Sequence, residues 1–272
     1  MRRSFTKLAI VLLLAGAAPV GSAAAAETLR VGGTGGAMEM MRHVAAAFSP
    51  ATGIKVEVIM SLGSGGALRA LPAGALDVGV AARKLEPVAV ARGLVAVPIA
   101  RTALVFVTSH PKPNSVKSSE LIEIFKSATP KWADGSPINI ILRTKLDSDT
   151  LILQEYFAGM QEAVETARLR PDIPIAATDQ DSADVAEHLP GSFVQAGLSQ
   201  IITEGRNLRF VPIDGVEPTL ANLESGKYPY NKIFYLVFPA KRSVAAERLL
   251  EFMRSAEGQN VLRATGNLPV VE

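Results

Sequence analysis

The chain has 272 residues, of which 48% are hydrophobic and 20% charged, and its formal net charge at pH 7 is +2. A chain so close to neutrality has no overall basic field, which argues against nucleic acid or an anionic membrane as its partner. It contains no cysteine, which excludes disulfides and leaves no cysteine for lipid attachment.

Residues 1–26 have the three parts of an export signal peptide. Three cations and no acid lie in residues 1–7, an apolar run covers residues 8–18, and small residues in an Ala-x-Ala pattern end the segment. The apolar run is far shorter than the ~20 residues that cross a bilayer, so we expect a cleaved signal and no anchor. Cleavage near Ala26, by the secretory or the twin-arginine route, would leave the mature protein free in the periplasm. The three cations leave with the signal, so the formal charge would change from +2 to −1.

In the rest of the chain, short runs rich in Val and Ile alternate with amphipathic stretches of helical length. This pattern predicts an α/β fold with largely parallel strands. The predicted strands cover residues 29–33, 55–60, 77–82, 94–99, 103–108, 138–143, 173–176, 208–212 and 233–238. The predicted helices cover residues 38–52, 67–71, 120–125, 150–168, 183–188, 218–224 and 243–253, with Ser243 as the N-cap of the last.

Three polar loops each precede a predicted helix. They are Thr34-Gly35-Gly36, residues 61–66 with Ser64 and Gly65, and Asp147-Ser148-Asp149-Thr150. Helix N-termini present unpaired N–H groups, glycine lets a ligand approach the backbone, and hydroxyls add donors, so such loops suit anions. Each loop alone is better explained as an ordinary cap or turn, but three together favour an anion site.

Arg143 ends a predicted strand just before the third loop, where its planar guanidinium could hold two ligand oxygens. A solvated surface arginine explains the same position equally well.

Enzyme and metal motifs are incomplete. Ser64 lies between Gly63 and Gly65, but a nucleophile elbow needs glycine two residues to either side, and Leu62 occupies one of these positions. The nucleotide-binding patterns G-x-x-x-x-G-K-[ST] and G-x-G-x-x-G do not occur. The three histidines, His43, His110 and His188, are expected to be surface residues. The acids Asp179, Asp181 and Asp184 are expected to cap a helix. We therefore expect no enzyme activity, no metal and no cofactor.

In its polar loops and in the order of its strands and helices, the chain resembles the phosphate-type solute-binding proteins of bacterial ABC transporters. The resemblance covers nearly the whole chain after residue 26. Its carriers are the Gly/Thr turn at 33–36, the loop at 63–66 with the run 75–81, the stretch 142–150, and the segments 211–219 and 226–229.

The resemblance implies a two-lobed α/β fold of the periplasmic-binding-protein type, with the ligand in the cleft between the lobes. Lobe 1 would comprise residues 27–103 and 236–272, and lobe 2 residues 104–235. Two segments would cross between the lobes, near residues 101–107 and 230–236. The implied function is reversible capture of a small oxyanion, most of all phosphate, by a monomer that delivers it to a permease in the inner membrane.

The resemblance also implies the site. Thr34, Gly35 and Gly36 correspond to the first ligand loop and Ser64 and Gly65 to the second. The opposite lobe would contribute Arg143, Ser148, Asp149 and Thr150.

One departure concerns the ligand's own proton. Proteins of this family usually follow the third strand with Ser-Asp, whose carboxylate accepts that proton, whereas this chain has Ala82-Arg83. Our hypothesis is that Asp147 or Asp149 takes over the role, because a carboxylate accepts from a protonated oxyanion and repels sulfate. Arg83 could equally indicate a different anion. Two other functions stay open, a secreted serine hydrolase that uses Ser64 and a ligand sensor without a permease.

Overall fold

The computed structural model describes residues 27–60 and 62–270, so the predicted signal peptide lies outside the described residues. The strands are β1 Thr28–Gly33, β2 Lys55–Ile59, β3 Val78–Ala81, β4 Leu94–Thr108, β5 Asn139–Ile140, β6 Leu142–Arg143, β7 Ile175–Ala176, β8 Ser192–Gly197, β9 Arg209–Val211, β10 Asn231–Pro239 and β11 Leu268–Pro269. The helices are α1 Gly35–Thr52, α2 Gly63–Ala70, α3 Pro87–Ala91, α4 Leu121–Lys126, α5 Ser148–Tyr156, α6 Met160–Arg168, α7 Asp179–His188, α8 Leu198–Thr203, α9 Leu220–Glu224, α10 Val244–Arg254 and α11 Ala256–Ala264. A 3-10 turn covers Ser118–Glu120.

The predicted α/β class is confirmed, but the expectation of a largely parallel sheet is wrong. The main sheet has the order β2-β1-β3-β10-β4-β8-β5, and β9 and β11 also pair with β4. Strands β1, β2 and β3 are parallel, whereas β10 is antiparallel to β3 and β4, and β8 is antiparallel to β4. The sheet is mixed because β4 and β10 run side by side in opposite directions at its centre.

Three hydrophobic clusters pack on the sheet in the described part of the chain, and the two largest are called the first and the second core. The first core forms around β1, β3, α1 and α10, with Val31, Phe48 and Leu249 fully buried. The second core forms around the aromatic rings of Phe106 and Phe193, which stack with their centroids 4.9 Å apart. The two cores are the physical basis of a two-lobed fold, since each gathers its own strands and helices. The exact lobe boundaries given above remain a prediction.

Strand β4 contributes to both cores. In β4, Ala100 belongs to the first core and Ala103 to the second. The sequence suggested two strands here, at 94–99 and 103–108, because Arg101 and Thr102 interrupt the apolar run. The structure has one strand because Arg101 and Thr102 pair with Ile233 and Lys232 of β10.

Several other predicted elements need correction. The predicted helix 150–168 is two helices, since Gly159 has a φ of 85° and begins a new one. The predicted strand 138–143 divides into β5, which pairs with β8, and β6, which pairs with β7. Strand β8 and helices α8 and α11 were not predicted. The polar residues of β8 interrupt the apolar run expected of a buried strand, and α8 and α11 are short, so their apolar residues do not repeat often enough to indicate a helix.

His110 is not the surface residue that the sequence suggested. It is 8% exposed, its ring stacks on Trp132, and its Nε2 lies 3.0 Å from Asp134 Oδ2. Ser243 is the N-cap of α10, as predicted, and its hydroxyl accepts from the N–H of Ala246. Within residues 27–60 and 62–270, no helix is long and apolar enough to cross a membrane.

Candidate functional site

The second and third polar loops touch each other, and the first loop touches helix α7. Ser148 Oγ at the start of α5 donates to Ser64 Oγ of α2 over 2.9 Å. Gln180 of α7 donates from its side-chain amide to the carbonyl oxygen of Gly35 over 3.2 Å. Residues 84 and 145 positions apart in the chain are therefore in direct contact, and the two sides of the site touch.

The first loop packs so closely against α7 that position 35 has no room for a side chain. Thr34 is buried at the N-cap of α1, and its N–H donates to the carbonyl oxygen of Val80. A Cβ on Gly35 would lie 2.6 Å from both Asp179 Oδ2 and Gln180 Oε1. Only glycine lets these polar side chains come this close to the positive N-terminal end of α1.

Ser64 lies in the first turn of α2, and its partners are not those of a nucleophile. Its Oγ accepts from the N–H of Ala82 over 3.1 Å and from Ser148 Oγ. Neither partner is a base, so the contacts give no support to the hydrolase alternative. Gly65 is partly exposed, and a Cβ there would meet only the guanidinium groups of Arg69 and Arg83 at ordinary distances.

In the third loop Asp147 is the N-cap of α5, and its Oδ1 accepts from the N–H of Asp149 over 2.9 Å. Asp147 Oδ2 accepts from Arg143 Nη2 over 2.8 Å. The hydroxyl of Thr150 donates to the carbonyl oxygen of Thr144 in its own loop. The predicted hydroxyl donor at Thr150 is thus already engaged within the loop.

Arg143 is 2% exposed, and the surface alternative for this residue is wrong. Its Nε and Nη1 are buried and have no hydrogen-bond partner. Its Nη2 also lies 3.7 Å from Asp179 Oδ2. A buried guanidinium with two unused donor atoms is costly for the fold.

The sequence did not single out Lys232 or assign Asp179 to the site. Lys232 is fully buried on β10, and its Nζ lies 2.7 Å from Asp149 Oδ1. Asp179 is buried at the start of α7 beside Gly35. The available signal for Lys232 was a single cation entering an otherwise apolar strand. Asp179 was expected to cap a helix, but the N-cap of α7 is Thr178.

The site contains more carboxylates than cations. Burial raises the pKa of Asp149 to about 6, Lys232 opposes the rise, and Asp179 and Asp147 add to it. Burial disfavours the charged form of Lys232, but Asp149 and Asp179 outweigh this and raise the Lys232 pKa. We infer that the ammonium stays charged and that Asp149 is the group that titrates near pH 6.

Two spaces adjoin the site. The pocket under Arg143, which Asp179, Gln195 and Gln200 also line, has no room for a water molecule. A larger cavity of about 580 Å³ lies on the other side of Lys232, between Arg83 and the α5 residue Tyr156. No group of three or more His, Asp or Glu residues within 27–60 and 62–270 is arranged to hold a metal ion.

Comparison with known proteins gives a family match over most of the chain. The sequence model described as "PBP superfamily domain" matches residues 18–257. No curated protein matches by sequence.

Solved structures with the same fold include three whose descriptions name an oxyanion. A candidate phosphate ABC transporter substrate-binding protein with bound phosphate, from Clostridium perfringens, has a TM-score of 0.77 at 19% identity, over 90% of this chain and 100% of its own. A phosphate-binding protein from Stenotrophomonas maltophilia has a TM-score of 0.70 at 12% identity, over 90% and 91%. The periplasmic molybdate-binding protein of Azotobacter vinelandii has a TM-score of 0.59 at 14% identity, over 90% and 99%.

Proposed function

Because this chain belongs to the PBP superfamily, we propose that it is an extracytoplasmic solute-binding protein that captures a small oxyanion, most of all phosphate, for an ABC importer. The similar structures from Clostridium perfringens and Stenotrophomonas maltophilia support this choice, since phosphate is named in both descriptions. On this proposal the protein acts as a periplasmic monomer, its partner is a permease in the inner membrane, and it has no catalytic residues.

The observation that carries the proposal is the state of Arg143. Its side chain is almost completely buried beside Asp147 and Asp179, yet Nε and Nη1 donate to nothing. Asp147 engages only Nη2. An oxyanion that reached Nε or Nη1 would form a charge-assisted hydrogen bond worth about 1.5–3 kcal/mol.

The opposite side of the site would add neutral donors. The hydroxyl of Ser64 meets Ser148 at the start of α5, and the N-terminal end of α1 at Gly35 and Gly36 lies against α7 and Lys232. Helix N-termini and hydroxyls bind anions without adding a charge. The cleft must open to admit a ligand, because Ser64 and Ser148 touch in the closed arrangement.

The carboxylate that would accept a ligand proton stays a hypothesis with two candidates. Asp147 is already used by Arg143 and by its own loop, whereas Asp149 is used by Lys232. If either accepts the proton of phosphate, Asp147→Asn or Asp149→Asn would reduce the preference for phosphate over sulfate. An unchanged preference in both variants would contradict the hypothesis.

The test of the proposed function is calorimetry on the mature chain after unfolding and refolding to remove bound ligand. Phosphate, sulfate and molybdate are titrated, with a neutral sugar as the ligand control. Arg143→Ala should weaken oxyanion binding by roughly tenfold or more, the value of one charge-assisted hydrogen bond. Arg263→Ala is the matched control, because Arg263 pairs with Glu224 on the exposed surface.

Saturable phosphate binding that is lost in Arg143→Ala and kept in Arg263→Ala supports the proposal. Binding of no oxyanion by the folded wild-type protein overturns it. Equal affinity of the two variants would refute the assignment of the site to Arg143.

A further inference from the structure

Lys232 brings a second cation to the site from strand β10. Its backbone pairs with Thr102 of β4, the strand that contributes to both cores. Its side chain has no exposed surface. A buried lysine is retained as an ammonium only where anionic groups compensate for the lost hydration.

The ammonium of Lys232 lies at the N-terminus of α1. Its Nζ is 3.3 Å from the point that a Cβ on Gly36 would occupy and 3.4 Å from the corresponding point on Gly197. Lys232 therefore faces the same helix end that the proposed function assigns to the oxyanion. Its one hydrogen-bond partner among the described residues is Asp149 Oδ1, at 2.7 Å.

The charges around Lys232 do not balance. Arg143 and Lys232 face the carboxylates of Asp147, Asp149 and Asp179, so the fully ionised cluster has one negative charge in excess. An incoming oxyanion would add further negative charge to a buried site, where the repulsion is strong. One of the carboxylates must therefore be protonated or move away for the anion to bind.

We propose that Lys232 is a second ligand-binding cation and that Asp149 is an internal competitor, whose carboxylate holds the place of an oxyanion oxygen on Lys232. The inference rests on the proposed function and adds what sets its affinity. Asp147 is fixed by Arg143 and by the N–H of Asp149, and Asp179 makes only a long contact with Arg143. Asp149 is the carboxylate whose side chain contacts Lys232 directly.

Protonation of Asp149 would free Lys232, since a neutral carboxyl group no longer competes for the ammonium. The cavity of about 580 Å³ beside β10 is lined by Arg83 and Lys84 and also by Glu86 and Glu155, and Asp149 does not line it.

The proposal is tested by the affinities of wild type, Asp149→Asn and the double variant Asp149→Asn with Lys232→Gln, measured by calorimetry with phosphate and with sulfate. Lys232→Gln alone would leave Asp149 buried and unpaired, so the neutral double variant protects the fold. Glu165→Gln is the control, because it removes one negative charge from an exposed pair with Lys145.

We expect Asp149→Asn to bind both oxyanions roughly tenfold or more tightly than wild type, the value of one charge-assisted hydrogen bond. The double variant should lose this gain, and Glu165→Gln should match wild type. Sulfate keeps its charge over the pH range of interest, so its affinity for wild type should rise as the pH falls through about 6, and its affinity for Asp149→Asn should not.

Weaker or unchanged binding of both anions to Asp149→Asn overturns the competitor role. A selective loss of phosphate would instead identify Asp149 as the acceptor of the ligand's proton. Equal affinities of the single and double variants would overturn the ligand role of Lys232. If the folded wild type and every variant bind no oxyanion, the proposed function fails and this inference fails with it.

Discussion

The buried carboxyl group of Asp149 should make the stability of the protein depend on pH in an unusual direction. Its pKa is about 6 in the folded protein, compared with an ordinary value of 3.8. The folded state therefore holds this proton more tightly than the unfolded state. Well below pH 3.8 both states are protonated and the carboxyl group costs nothing. Between pH 4 and 6 the unfolded state ionises first, so the free energy of unfolding falls as the pH rises.

The magnitude follows from the two pKa values. One pKa unit corresponds to about 1.4 kcal/mol, so the change from 3.8 to about 6 corresponds to about 3 kcal/mol of lost stability above pH 6. Asp149→Asn cannot ionise and keeps an oxygen that can accept from Lys232. The unfolded carboxyl group of wild type is already more than half ionised at pH 4, so the free energy of unfolding of Asp149→Asn, relative to wild type, should be about 2 kcal/mol higher at pH 7 than at pH 4.

Urea unfolding at a series of pH values measures this difference. Trp132 is the one tryptophan in the sequence and is buried in the second core, so its fluorescence reports unfolding there. Glu165→Gln controls for the loss of a carboxylate and should follow the pH profile of wild type. If the difference between Asp149→Asn and wild type stays constant to within about 0.5 kcal/mol from pH 4 to pH 7, the burial argument is refuted.

Three further predictions concern packing and ligand linkage. Gly33→Ala should destabilise the fold by about 3 kcal/mol or more in urea unfolding, because the new Cβ would clash with the carbonyl oxygen of Val80. Gly65→Ala meets only ordinary contacts and should stay within about 1 kcal/mol of wild type, and similar losses in both would contradict the clash. Tyr228→Phe removes the buried hydroxyl that donates to the carbonyl oxygen of Leu104 over 2.9 Å and should cost about 1 kcal/mol, whereas an unchanged urea midpoint would contradict it. Phosphate at 100 times its dissociation constant should raise the free energy of unfolding by about 2.7 kcal/mol, and a neutral sugar should leave the melting temperature unchanged.

The arrangement of the site has a consequence for ligand choice. Two cations and three carboxylates lie together in a largely buried cluster. An oxyanion that carries a proton adds less charge than a fully ionised one and can donate to a carboxylate. The cluster therefore favours a protonated oxyanion such as phosphate if Asp149 contacts the ligand, and it favours neither phosphate nor sulfate if Asp149 is displaced. The measurements on Asp149→Asn separate these two cases.

The features that depend on a few neighbouring residues could be predicted from the sequence. The alternation of Val- and Ile-rich runs with amphipathic stretches predicted the α/β class, and Ser243 marked the start of α10. The three polar loops were recognisable because glycine and hydroxyl residues stand directly before helices. Such signals depend on residues within one turn or one strand, so they survive in the sequence alone.

Which distant residues come together at the candidate site depends on the tertiary structure. Lys232 was not singled out, because its isolation in an apolar strand does not show that Asp149 lies 83 positions away and 2.7 Å from it. Asp179 appeared to be a helix-capping acid, and only the packing of α7 against α1 brings it to Gly35. The division of 150–168 at Gly159 and the joining of 94–108 into one strand likewise depend on neighbours remote in sequence. Burial and charge compensation are properties of such neighbours, and local sequence patterns do not contain them.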